Sequence, residues 1–262
     1  MKKGTRILMT SAKGGVGTGF VTVNTALALC RLGLRVLLVD AGPFCRSHDT
    51  ILSCAEDVIY DLGDLAKARV SSEKTLLRPL PDTDLYLLPG VFDPGSLPSA
   101  EELLALLAIL ADEGNFDCIL VDAPALPETV RVAACYDTCC VIADPTPAAL
   151  RAAEAAGNSL SQAGAAVRLI INRFSLKKPK ESGQEKAIHM VDAAHLWLLA
   201  LIPTVGELGE RPGQLYPLLT RAWRQEPARI AFDNLAARLT GTDVPLLDGI
   251  RAVRARRTAL LY

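Results

Sequence analysis

The chain has almost no net charge. Its 28 Lys and Arg stand against 29 Asp and Glu, leaving −1. That excludes the broad basic footprint of a nucleic-acid-binding protein, so nucleic acid is not expected as a partner. No Cys-x-x-Cys pair occurs among Cys30, Cys45, Cys54, Cys118, Cys135, Cys139 and Cys140. An odd count without metal spacing reads as reduced, structural thiols in a cytosolic protein. Long hydrophobic runs are missing too. The longest, Leu103–Ala111, is far too short to span a bilayer. Lys2 and Lys3 lead straight into an apolar strand, so the N-terminus does not read as a signal peptide. Internal repeats and interdomain linkers are also absent.

What is present is an alternating series of apolar strands and amphipathic helices. A length of 262 residues suits one large α/β unit. The 50% apolar content fits strands covered on both faces. Strands are expected at 6–10, 35–40, 85–89, 116–122, 137–143, 167–172 and 197–202. Ser99 and Glu102 form a capping box ahead of a helix. Further helices are expected over Pro147–Ala163 and Pro227–Leu239, the latter with Gly241 near its end. The fold class that follows is α/β, a doubly wound, mostly parallel sheet flanked by helices. Residues 177–186, rich in lysine, read as a flexible loop.

Residues 10–20, Thr-Ser-Ala-Lys-Gly-Gly-Val-Gly-Thr-Gly-Phe, follow the first strand. Val21, Leu27, Ala28 and Leu32 then lie at helical spacing, and Gly33 stops the helix. Strand, glycine loop and helix point a helix N-terminus at an anion. Gly14, Gly15 and Gly17 leave the backbone N–H groups free to close around phosphate. A phosphate-binding loop also needs a lysine and then Ser or Thr for magnesium. Those slots hold Thr18 and Gly19. Loss of a charge-assisted contact costs about 1.5–3 kcal/mol, roughly ten- to a hundredfold in affinity. The cradle is expected to bind phosphate weakly, through backbone amides and helix dipole.

Lys13-Gly-Gly-Val-Gly17 followed by Arg35-Val-Leu-Leu-Val-Asp40 resembles the deviant Walker A ATPases of the MinD/ParA family. Val58-Ile-Tyr-Asp61, Asp84-Leu-Tyr-Leu-Leu-Pro89, Phe116-Asp-Cys-Ile-Leu-Val-Asp-Ala-Pro124, Ile170-Ile-Asn-Arg173 and Leu201-Ile-Pro203 look like its MinD branch. They occur in the family's order across residues 4–240. The resemblance implies a P-loop site for ATP or ADP built on Lys13, Gly14, Gly15, Val16, Gly17, Thr18, Gly19, Asn172 and Arg173. It also implies a homodimer, with Lys13 reaching the partner's phosphates. Asp122 matches a Walker B aspartate, which would hold magnesium through water. Asp40 matches the first of two family carboxylates, and the resemblance assigns it with Asp122 to the metal. The second, which positions the attacking water, is Gly42 here. Asn172 stands where the family reads adenine, and its amide has the donor and acceptor that adenine needs. Thr204-Val205 stand where relatives usually carry acidic residues. Each of these residues also has a plain reading: loop lysine, strand-end carboxylate or turn asparagine.

Three losses coincide, at positions 18, 19 and 42. Phosphoryl transfer depends almost wholly on positioning and charge, so fast ATP hydrolysis is not expected. The resemblance then implies a hydrolysis-deficient MinD-like protein acting in spatial positioning, such as division-site selection. The alternatives are an active, unorthodox ATPase using Lys13 and a ParA-like positioning factor for pili or other surface machinery. Residues 1–245 are expected to form the P-loop domain and 246–262 a basic terminal helix or tail. That tail carries Arg251, Arg254, Arg256 and Arg257, with Leu246, Ile250, Val253 and Leu260 on one side. Three readings stand: contact with anionic membrane, a helix packed on the body, and nucleic-acid contact. Location at the inner membrane face follows from the first.

Overall fold

The computed structural model describes residues 3–43, 46–176, 187–205, 227–246 and 248–249. Seven strands form one sheet in the order β3-β2-β4-β1-β5-β6-β7. They are β1 Thr5–Thr10, β2 Val36–Asp40, β3 Leu85–Leu88, β4 Cys118–Asp122, β5 Thr138–Ala143, β6 Val167–Phe174 and β7 Leu198–Pro203. Every pairing between them is parallel. A parallel sheet needs helices on its faces, which is why its strands are apolar throughout rather than alternating. Val36, Leu37, Leu38 and Val39 are all fully buried, as are Leu8 and Met9.

The helices, in chain order, are α1 Thr18–Arg31, α2 His48–Ile51, α3 Leu62–Ala66, α4 Ser72–Thr75, α5 Ala100–Gly114, α6 Pro127–Arg131, α7 Pro147–Gln162, α8 Ala187–Ala194 and α9 Pro227–Leu239. α1 packs against β1 to β4, and α7 against β5 and β6. α9 joins α1 to β7. There Phe232 meets Phe20 edge-on at 5.8 Å, and Asp233 accepts from Arg31 at 2.8 Å. α5 begins with a complete capping box: Ser99 Oγ accepts from the Glu102 N–H, and the Glu102 carboxylate accepts from the Ser99 N–H.

Each expected strand is found to within about two residues, and the helices near 100, 147 and 227 begin where their signals lie. β6 differs most. It runs to Phe174 with a register shift against β7, and Arg173 lies at φ 57°. The loop expected over 177–186 lies outside the described residues. So do the tail arginines, together with Ile250, Val253 and Leu260. Among the described residues no helix is long and apolar enough to cross a membrane.

The strand order places the carboxyl ends of β1, β2 and β4 side by side. Asp40 pairs in register with Asp122, and Asp122 with Met9. The glycine loop leaves β1 one residue beyond Met9, at Thr10. Crevices at strand carboxyl ends are where open parallel sheets bind ligands.

Candidate functional site

A cavity of about 940 Å³ opens at these strand ends. Gly14, Gly15, Gly17, Thr18, Gly19, Asp40, Asp122, Asn172 and Arg173 all line it. Phe20, Pro43, Ile51, Leu126 and Val205 give the rest of its wall an apolar character.

The loop itself is open. A Cβ built on Gly14 or Gly15 would meet nothing within 4 Å. α1 starts behind it with Gly17 as N-cap, no side-chain cap and no acidic residue in the first turn. Its first N–H groups therefore lack side-chain acceptors, and the helix dipole favours an anion there. Val16 is buried and its carbonyl accepts from Asn172 Nδ2 at 2.8 Å. The buried Asn172 amide thus spends a donor on the loop backbone, holding β6 to the loop. Thr18 donates its hydroxyl to Ser11 Oγ at 2.9 Å.

Lys13 is half-exposed and lies 3.8 Å from the Asp144 carboxylate. Arg173 approaches the same carboxylate at 3.9 Å. Asp144 is nine-tenths buried and also accepts from the Thr146 N–H at 3.1 Å. It gathers the cations of the loop and of β6, although nothing in the sequence marked it.

The two strand-end carboxylates share a partner that sequence reasoning also missed. His48, the first residue of α2, is fully buried. Its Nε2 is hydrogen-bonded to Asp122 Oδ2 at 3.0 Å, and its Nδ1 lies 3.7 Å from Asp40 Oδ2. Burial works to lower the His48 pKa. Asp40 and then the hydrogen bond and charge of Asp122 outweigh it and hold the imidazole above its ordinary value. Burial likewise pushes the Asp122 carboxyl up, against the pull of His48. Asp40 also accepts from the backbone N–H of Gly42 at 3.3 Å, Ser47 at 3.0 Å and His48 at 3.4 Å. Arg46 pairs with Asp49 and stacks on Phe92 at 3.9 Å, which fixes the start of α2 over the pocket.

Position 19 fits the same arrangement. A Cβ on Gly19 would come 2.5 Å from Ser47 Oγ and 3.5 Å from the His48 ring. The space beside Gly19 is filled by the Ser47-His48 turn.

No family model matches the chain. The septum site-determining protein MinD of Synechocystis sp. is 28% identical over 250 residues, spanning 94% of this chain and 93% of that protein. Among solved structures, the MinC:MinD cell division complex of Aquifex aeolicus superposes with a TM-score of 0.81 at 28% identity, over 92% of this chain and 98% of that one. MinD of Pyrococcus horikoshii, solved with Mg-ADP, gives a TM-score of 0.75 at 26% identity over 94% and 98%. Near-complete coverage in sequence and structure agrees with the seven-stranded parallel sheet and the glycine loop at its centre, and the chain has the fold of the MinD/ParA P-loop proteins, to which it is similar over nearly its whole length.

Proposed function

We propose that this chain is a MinD-like positioning protein that binds nucleotide weakly at the glycine loop and does not turn it over efficiently. One observation carries the reading. An open glycine cradle and an uncapped helix start face a cavity whose three chemically active positions hold Thr18, Gly19 and Gly42. The amides and the dipole supply anion affinity. The P-loop lysine, the metal-binding hydroxyl and the water-orienting carboxylate, which would supply catalysis, are missing. Lys13 is the cation left in the loop, and it is tied to Asp144. To reach the phosphates of a second copy in a homodimer it would give up that ion pair.

The relatives support the setting. Their names place them in septum-site determination, and one was solved with Mg-ADP. By extension this chain acts in division-site selection or a similar spatial task, bound at the membrane surface through 246–262.

Steady-state phosphate release from ATP tests the reading. The expected rate is background. Saturable release that disappears in Lys13→Ala would instead establish an unorthodox ATPase.

A further inference from the structure

The two carboxylates that line the cavity at the strand ends, Asp40 and Asp122, are bridged from behind the cavity wall by His48. Asp122 Oδ2 is engaged by His48 Nε2 at 3.0 Å. Asp40 Oδ2 takes two backbone N–H groups and faces His48 Nδ1 at 3.7 Å. The imidazole therefore lies against both carboxylates, with no solvent exposure of its own. Its Nδ1 has no hydrogen-bond partner, so Asp40 is the group that answers it.

A magnesium ion needs near-octahedral oxygen ligation at about 2.0–2.1 Å and keeps several waters. These residues do not fit it. One carboxylate oxygen on each side is already used, and Gly19 offers no side-chain oxygen. The volume such an oxygen would fill holds Ser47 Oγ, 2.5 Å from a Cβ at position 19. Among the described residues no cluster of three or more His, Cys, Asp or Glu side chains is arranged to hold a metal. Two separate segments thus agree: glycine at 19 and the serine-histidine pair at 47–48. A hydroxyl at 19 and the Ser47-His48 turn cannot share the same space.

We infer that the His48 side chain occupies the divalent-cation position between Asp40 and Asp122, so that the loop takes a nucleoside di- or triphosphate without magnesium. This rests on the reading of the loop as a nucleotide site. It also goes beyond weak binding, since the metal dependence of the interaction is removed. His48 acts as a positioning residue. It holds both carboxylates from behind the cavity wall.

The test has two arms, each on the full chain. The first titrates Mn²⁺ in the absence of nucleotide and counts bound ion by electron paramagnetic resonance. The wild-type chain is expected to bind none at this site. His48→Ala should gain one ion per chain, with an affinity about tenfold or more above background, and adding Asp122→Asn should remove it. One Mn²⁺ bound by the wild type and lost in Asp122→Asn would overturn the inference. So would a His48→Ala protein that is folded by circular dichroism yet still takes no ion. If that variant does not fold, the wild-type titration decides. The second arm titrates ADP calorimetrically in EDTA and in magnesium. Equal affinity in both is the expected result, and binding that requires magnesium would overturn the inference. Absence of ADP binding under both conditions would defeat the nucleotide reading of the loop, whereas the manganese arm judges His48 independently.

Discussion

At the residue scale, the glycines of the loop divide by what surrounds them. Gly17 sits at φ 89°, and a Cβ there would come 2.5 Å from the Asn172 amide nitrogen. Gly17→Ala should therefore destabilise the chain by about 1 kcal/mol or more in urea denaturation, through backbone strain and displacement of the Asn172 tie. Gly14 has open space around it. Gly14→Ala should leave the urea midpoint nearly unchanged yet weaken ADP binding, because Gly14 lines the cavity and a methyl there takes up open space; unchanged affinity would argue against phosphates lying there. Gly19 is a third case, crowded by Ser47 and His48. Restoring a hydroxyl by Gly19→Thr is expected to cost about 1–3 kcal/mol through overpacking. Ser47→Gly should relieve part of that cost, and a double-mutant cycle reads the coupling directly.

At the scale of elements, the capping box of α5 offers a clean check. Ser99→Ala should cost about 1 kcal/mol, since it removes the acceptor for the Glu102 N–H. Signals of this local kind made most of the fold legible in the sequence. Ser99-x-x-Glu102 announced α5, and Pro147 and Pro227 marked the starts of α7 and α9. The strands showed as apolar runs because parallel strands are buried on both faces. The glycine loop and the order of the motifs then placed Asp40 and Asp122 together. What stayed hidden depends on partners rather than residue types. His48 meets Asp122 across 74 positions, and Asn172 meets Val16 across 156. A histidine at the start of a one-turn helix carries no local mark of either neighbour. Asp144 was overlooked for the same reason: its role comes from Lys13 and Arg173, which reach it from other elements. The terminal segment 246–262 can be tested without knowing its conformation. Its four arginines, each worth about 1 kcal/mol near an anionic surface, should bring the chain down with anionic liposomes at low salt. Deletion of 246–262 should abolish that pelleting, and equal pelleting of both proteins would rule out the segment as an anchor.

At the scale of the whole molecule, the buried thiols and His48 are expected to make the fold sensitive to alkali. Burial pushes Cys30 up to about 12 and Cys54 up to about 11, from an ordinary thiol value of 9.0. A raised pKa means that the folded chain holds protons that the unfolded chain has released. The stability is fully present below the unfolded value and falls as pH rises through the folded one. His48 contributes in the same direction from its ordinary value of 6.5 upward. Urea midpoints should therefore decline gently above about pH 6.5 and more steeply above about pH 9. His48→Gln should remove the first decline and leave the second. The proposal as a whole is that a P-loop architecture keeps its cavity at the strand ends while positions 18, 19 and 42 hold Thr, Gly and Gly, with the Ser47-His48 turn against Gly19. A single-turnover experiment, with protein in excess over radiolabelled ATP, tests this most directly. The account predicts that the nucleotide is retained on the protein and recovered as ATP. Recovery as ADP, at a rate proportional to bound nucleotide, would contradict it.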